Sequence, residues 1–406
     1  MELPAVRACF HLRMLMKFHL LVGALALVAA ACGAGAPPDR STTGGNAVQL
    51  DQIESSPREN VPSALTDPAG EGLPKPLVDP ADIISGGPPP DGIPTIDKPK
   101  FQKASSVDWL EPKEAVLSFQ LGDEIRAYPA QILIWHEIVN DTVAGQPVTI
   151  TYCPLCNSGV AFNRRLGDRV LDFGTSGKLL HSALVMYDRQ TESLWAHFEG
   201  RAIAGFLTGA NLELLPVSTV SWEDWRRKNP SSWVLSRDTG HKRDYGRNPY
   251  EGYDDQTKTP FLFKGEPDPR MPGMARVVGI RNGRQSVAIV LDHLGKTRVV
   301  HTKVGDLDVV AWSKPGLASA LDSGTVAMGR EIAATGVFDT RVGKRHLTFR
   351  ASGGGFVDKE TGTTWDLFGA ATSGPLTGEQ LTALEHVDTF WFAWAAYLPD
   401  TKVIGQ

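Results

Sequence analysis

The sequence predicts a mainly β protein of the β-rich α+β type, arranged as two tandem pseudo-repeats of antiparallel strands with short helices. Three observations predict it. β-Branched and aromatic runs are separated by Gly-centred turns, LGD at 121–123, NGR at 282–284 and VGK at 342–344, the signature of antiparallel hairpins. Long amphipathic stretches between those runs are missing, which disfavours a doubly wound α/β sheet. Blocks of the first half then return in order in the second, and such self-similarity marks a repeated unit.

LSFQLGDEIRAYPAQIL (117–133) lies over VGIRNGRQSVAIVLDHL (278–294), with Gly122 on Gly283 and Ala127 on Ala288. FNRRLGDRVLDF (162–173) matches FDTRVGKRHLTF (338–349), and YDRQTESLW (187–195) matches VDKETGTTW (357–365). LELLPVSTVSWEDWRRKNPSSWVL (212–235) lies on LTALEHVDTFWFAWAAYLPDTKVI (381–404), with Trp225 on Trp394 and Pro230 on Pro399. The first repeat is therefore drawn at 101–255 and a second, degenerate one at 256–406. Shared features, including the glycines and an Asp-x-x-Thr-x-x-x-Trp turn, are assigned to the fold. Cys153, Cys156 and the Trp135-His136-Glu137 triplet occur in the first copy only, and the Cys-Pro-Leu-Cys stretch falls near Trp312 to Gly316 of the second.

Within each copy the elements are short. VTITY (148–152) alternates, so it is read as a strand with two differently buried faces. One helix is expected from Pro129 to about Val139. Another runs from Trp222 to Lys228 behind a Ser221 cap, with Asp224 at the capping-box position. FGTSGK (173–178) lacks the full phosphate-loop spacing, and SGGG (352–355) fills its place in the second copy, so it is read as a backbone turn. DTFWFAWAAYLPDT is aromatic enough for membrane contact but matches the STVSWEDW helix, and is read as a core helix.

The chain has 406 residues, a formal charge of −5 and 42% hydrophobic residues. That balance excludes the basic excess expected of a nucleic-acid binder. At the N-terminus, Arg7, His11, Arg13 and Lys17 precede LLVGALALVAAA, which stops at Cys32. A charged region, a short apolar run and small residues before a cleavage point describe a signal peptide. The run is too short for a membrane span, which needs about 20 residues. With Cys32 after Ala29-Ala30-Ala31, it resembles a bacterial lipoprotein signal over residues 1–31. That resemblance implies lipidation of Cys32, with an ordinary secretion signal as the alternative. Residues 32–100 are rich in Pro, Gly, Ser and Asp, as in SGGPPPDGIPTIDKP, and are read as a disordered tether. Cys9 leaves with the signal and Cys32 takes lipid, so Cys153 and Cys156 remain. In an oxidising compartment those two would be able to pair.

Three long stretches, WHEIVNDTVAGQPVTITYCPLCNSGVAF, FGTSGKLLHSALVMYDRQTESLW and VLSRDTGHKRDYGRNPYEGYDD, resemble the bacterial domain of unknown function 3179 family. The resemblance covers roughly residues 100–406. It implies an exported, often membrane-anchored bacterial protein, and with the lipoprotein signal the expected place is the cell envelope, on the outer side of the cytoplasmic membrane or in the periplasm or outer membrane. It supplies no catalytic residue.

Cys153-Pro154-Leu155-Cys156 leaves three readings open. In a thiol-redox site Cys153 would attack and Cys156 resolve, with His136 or Glu137 tuning them. In a metal-thiolate site Cys153 and Cys156 would be joined by His136 and His181, with His197 and His241 in reserve, a donor set suited to copper or zinc. Without either, the cysteines are structural, no cofactor is needed, and His136 is a satisfied core histidine. The polar, aromatic stretch 236–255 then offers the binding surface, through Arg237, Arg243, Tyr245, Arg247 and Tyr250, for an unknown small molecule or envelope protein. Its plainer reading is an ordered linker between the lobes.

Overall fold

The computed structural model describes residues 47–406, which fall within one compact unit. The signal peptide and Cys32 lie outside the described residues. Strands β1 (Ala115–Leu121) and β2 (Glu124–Pro129) form the first hairpin, and Gly122 at φ +56° makes its turn. Helix α1 (Ala130–His136) follows, shorter than expected because Ile138 and Val139 are claimed by strand pairing with Thr151 and Ile150. A meander comes next: β3 (Ile138–Val143), β4 (Gln146–Cys153) and β5 (Ser158–Asn163). A second sheet holds β6 (Phe173–Leu180), β7 (Ala183–Asp188) and β8 (Leu194–Ala196). Strand β9 (Val217–Ser221) then returns beside β1, α2 (Trp222–Lys228) follows, and β10 (Trp233–Leu235) lies parallel to β2.

The second half runs through the same order. Hairpin β11 (Arg276–Asn282) and β12 (Gln285–Val290) leads into α3 (Leu291–Thr297) and a meander of β13 (Val299–Val304), β14 (Leu307–Ala318) and β15 (Glu331–Asp339). A second sheet contains β16 (Phe349–Ser352), β17 (Gly355–Asp358) and β18 (Thr364–Trp365). Then β19 (His386–Phe390) pairs with β11, α4 (Trp391–Tyr397) follows, and β20 (Lys402–Ile404) runs parallel to β12. The Asp-x-x-Thr-x-x-x-Trp turn has the same bonds in both halves. Asp188 accepts from the Thr191 amide at 2.6 Å and from the Trp195 indole at 2.8 Å, as Asp358 does from Thr361 at 2.6 Å and Trp365 at 2.9 Å. One continuous apolar core takes residues from both halves, among them Leu117, Ile150, Val277 and Trp391. A fold this dependent on long-range pairing rests on buried apolar area, with backbone ladders satisfying the polar groups inside.

Three expectations need correction. Residues 47–100 are an ordered strap, not a tether. Ile84–Ser85 pairs with β6, Ile96 exchanges backbone bonds with β3, and Ser56, Glu59 and Ala64 donate backbone bonds to the first half. Composition misleads here because the strap buries little of its own apolar surface and uses its backbone to occupy strand edges. β4 is buried on both faces from Pro147 to Cys153, since the core is shared with the second half. FGTSGK is a bulged strand with an irregularity between Thr175 and Lys178, rather than a turn. Tyr152 N bonds Glu137 O, and Ser313 N bonds Arg298 O in the same way behind α3. By contrast α2 begins as expected, with Ser221 Oγ accepting from the Asp224 amide at 3.2 Å.

Candidate functional site

β4 delivers Cys153 and Cys156 into a tight turn at the contact between the halves. Both are free thiols, 2% and 0% exposed, and they are not at disulfide distance. The turn is bonded on every side. Cys156 O accepts from Thr389 Oγ1 at 2.7 Å and from Phe390 N at 3.1 Å, which seats the turn on β19 of the second half. Leu155 O accepts from the Tyr253 hydroxyl at 2.9 Å, and Tyr152 donates to Asn157 Oδ1 at 2.9 Å. The crevice beside it, lined in part by Tyr152, Asn157, Arg276 and Asp388, has about 30 Å³ of free space, room for roughly one water.

Sequence spacing gave no hint of the chain that holds Cys156. Its Sγ lies 2.9 Å from Ser158 Oγ, which lies 3.3 Å from His197 Nδ1, while His197 Nε2 is 2.8 Å from Thr151 Oγ1. Thr151 donates to Val160 O at 2.8 Å. Its one proton being spent there, it accepts from His197 Nε2–H, which leaves Nδ1 to accept from Ser158 and Ser158 to accept from the thiol. The whole chain is thus neutral and directional. Burial pushes the His197 imidazole down to about 3 and the Cys156 thiol well up. No thiolate–imidazolium pair is set up here, and burial is the opposite of the electropositive, part-exposed setting of a reactive thiol.

His136 and Glu137 diverge from the roles given them. His136 is fully buried, its Nδ1 2.7 Å from Pro94 O and its Nε2 2.6 Å from the Tyr245 hydroxyl. A carbonyl only accepts, so Nδ1 carries the proton and Nε2 takes the one from Tyr245. Thr239 Oγ1, 2.6 Å from the Tyr245 oxygen, then donates to it. Burial pushes His136 down to about 4, and neither nitrogen is left for a thiol or a metal. Glu137 ends α1 at φ +58°, is 7% exposed, and burial pushes its carboxyl up to about 8. Its counterpart Arg298 has φ +65° but donates to Ser313 O at 2.7 Å, whereas no side-chain bond to Glu137 is formed among the described residues. The left-handed backbone therefore belongs to the fold, and the unbonded acid belongs to the first half alone. His181 stands against the Tyr397 ring at 5.3 Å. Among the described residues no three His, Cys, Asp or Glu side chains converge as metal ligands, so the set Cys153, Cys156, His136 and His181 is not brought together.

The polar stretch 236–255 is ordered and zips the halves together. Arg247 bridges Thr325, Val326 N donates to Gly246 O at 2.9 Å, and Asn248 N donates to Gly324 O at 2.9 Å. On the other side the Trp135 indole donates to Arg247 O at 3.2 Å. Between these contacts lies an open recess of about 480 Å³ lined by Glu111, Glu114, Arg237, Asp244, Tyr245, Gly246, Arg247, Gly324, Thr325 and Ala327. It gathers Arg237, Tyr245 and Arg247. Tyr250 sits apart, within the electrostatic reach of Glu137 and Cys153, and among the described residues the Arg243 side chain bonds only Lys242 O, at 3.1 Å. Two other open recesses, beside Arg226 and beside Arg126, contain none of the candidate residues.

The family model described as a protein of unknown function, domain 3179, matches residues 90–401. The chain belongs to that family. No curated protein and no solved structure gives a significant match. For this member of the domain of unknown function 3179 family, the site's chemistry must come from its own residues. Ser158, His197 and Thr151 were invisible as a unit because strand register and a turn 39 residues away in sequence bring them together. The only cue was a histidine close behind the Asp-x-x-Thr-x-x-x-Trp turn.

Proposed function

We propose that this protein is a non-catalytic binding lipoprotein of the cell envelope, with its ligand site in the recess between the 236–255 linker and the second half. One observation supports it above all. Three of the five candidate binding residues, Arg237, Tyr245 and Arg247, line one recess built from both halves, while both cysteines are buried in the contact between the halves. The volume of the recess falls within the roughly 300–1,000 Å³ usual for small-ligand sites, and its lining is more polar than theirs. Under this reading Cys-Pro-Leu-Cys locks the halves together, and the two halves descend from one duplicated unit.

Ala327 lines the recess from the second half, so Ala327→Trp fills it without touching the cysteine turn. In a thermal-shift screen of the full chain against charged and neutral small molecules, at least one compound is expected to raise the melting temperature of the native protein. The plugged variant should lose that shift. A stabilising ligand whose effect survives the plug and disappears in Cys153→Ser would overturn the reading.

Export and anchoring are part of the same proposal and rest on the residues before Cys32. Cells fed a clickable fatty acid should label the wild-type protein and leave Cys32→Ala unlabelled. Equal labelling of both, or of neither, rejects Cys32 as the lipid site.

A further inference from the structure

We infer that the recess takes a small zwitterion, a ligand bearing a carboxylate and an ammonium a few atoms apart, as in a free amino acid or a short peptide. The inference rests on the recess being the binding site and names what it selects. Arg237 is its fixed point. Its guanidinium lies over the Trp109 ring at 4.6 Å, and Gln131 Oε1 accepts from Nε at 3.1 Å and from Nη2 at 2.5 Å. Gln131 is fully buried on α1 and turns its amide the other way, donating from Nε2 to Glu114 Oε2 at 2.6 Å. Glu114 Oε1 accepts from the Glu111 amide at 3.0 Å.

A neutral amide thus stands between the buried acid and the arginine. Arg237 makes no ion pair among the described residues, and its Nη1 forms no bond there. Its guanidinium is held in place by stacking, by Gln131 and by longer bonds from Nη2 to Trp109 O at 3.4 Å and Tyr245 O at 3.5 Å, with the Glu114 charge acting on it from behind the amide, and Nη1 is left for a partner from outside. Gly246, at φ +98°, passes directly over this pair. A Cβ there would lie 3.6 Å from Arg237 Nη2 and 3.8 Å from Gln131 Oε1, so the glycine keeps the linker close without a side chain over the arginine.

The rim decides the rest. Glu111, Glu114 and Asp244 line the recess opposite in sign to Arg237, Glu114 from behind Gln131, and the pairing of Asp244 with Arg247 is loose, at 4.0 Å with both side chains more than two-thirds exposed. A multiply charged anion would be drawn to Arg237 and Arg247 but repelled by the acids around them. A simple cation would meet the reverse. A ligand with both charges answers both sets, its carboxylate on Arg237 Nη1 and its ammonium toward Glu111, a form of charge complementarity that selects by penalising the wrong partner.

Titration calorimetry of the full chain with alanine, dialanine, acetate, ethylamine and inorganic phosphate tests this. Alanine or dialanine is expected to bind at least roughly tenfold tighter than acetate or ethylamine, and the stronger of the two identifies amino acid or peptide as the source. Arg237→Gln should abolish that binding. Arg247→Gln, at a side chain too exposed to affect folding, should weaken it severalfold, and Glu111→Gln should weaken it too. Phosphate or acetate binding that tightens in Glu111→Gln would make this an anion site and overturn the zwitterion, with the recess reading intact. A ligand blocked by Ala327→Trp but indifferent to Arg237→Gln would do the same. No response to any probe, together with no ligand lost on plugging, overturns both.

Discussion

Asp254→Ala is expected to cost about 3–5 kcal/mol of stability, the range for removing one partner of a buried ion pair. Asp254 closes the linker and is fully buried. Its carboxylate meets Arg276 Nη2 at 2.7 Å and Arg330 Nη1 at 2.9 Å, and it accepts from the Ser319 hydroxyl. Arg330 Nη2 adds a bond to Asp254 O at 2.8 Å. The carboxylate thereby ties the linker to β11, to the end of β14 and to the turn before β15. Truncation strands the Arg276 guanidinium, whose side chain is only 9% exposed, without its ion-pair partner. Burial alone would raise the Asp254 carboxyl, but Arg276, the Ser319 bond and Arg330 outweigh it and hold the carboxyl below the usual range. Its contribution is therefore complete above the unfolded value and is lost as pH falls through the folded one. Denaturant melts should show the variant's deficit at neutral pH shrinking in acid. A deficit under about 1 kcal/mol at neutral pH would mean that the linker is not held by this carboxylate.

Glu137→Gln should act in the opposite sense, and its size should depend on pH. The native carboxyl is raised to about 8 by burial, while the unfolded chain ionises near the ordinary value of about 4.3. Between those values the folded state holds a proton that the unfolded state has released, so the wild type loses stability as pH rises. The slope is about 1.4 kcal/mol per pH unit at most, and it levels off above about pH 8, where both states are ionised. Glutamine cannot titrate. The stability of Glu137→Gln relative to wild type should climb by a few kcal/mol from about pH 5 to about pH 8 and then stay flat. The comparison cancels His136 and His197, which titrate in both proteins. A difference constant across that range would show that Glu137 ionises normally in the fold.

Much of the architecture was legible from residues whose role is local. Gly122 and Gly283 make the hairpin turns, Ser221 caps α2, and Asp188 and Asp358 organise identical turns because their ligating side chains sit within seven residues. What depends on distant partners was not. The strap of residues 47–100 satisfies strand edges through its backbone, which leaves no side-chain pattern to read. The two-sided burial of β4 follows from a second half packing on it. The cysteine pair drew attention as a motif, but its chemistry was set by Ser158, His197 and Thr151, which no spacing rule joins. The linker's candidate binding residues were picked out by composition. Their recess needed Glu111, Glu114 and Gly324, which only the fold brings to them.

The most direct test is the accessibility of the two thiols. The full chain would be treated with a maleimide in its native state and again after unfolding, with Cys153 and Cys156 resolved by peptide mass. Buried thiols should stay unmodified in the native protein and both react once it is unfolded. Prompt modification of either in the folded protein, or a Cys153–Cys156 disulfide that opens and closes with no change in melting temperature, would contradict the structural role and return the function to the cysteines.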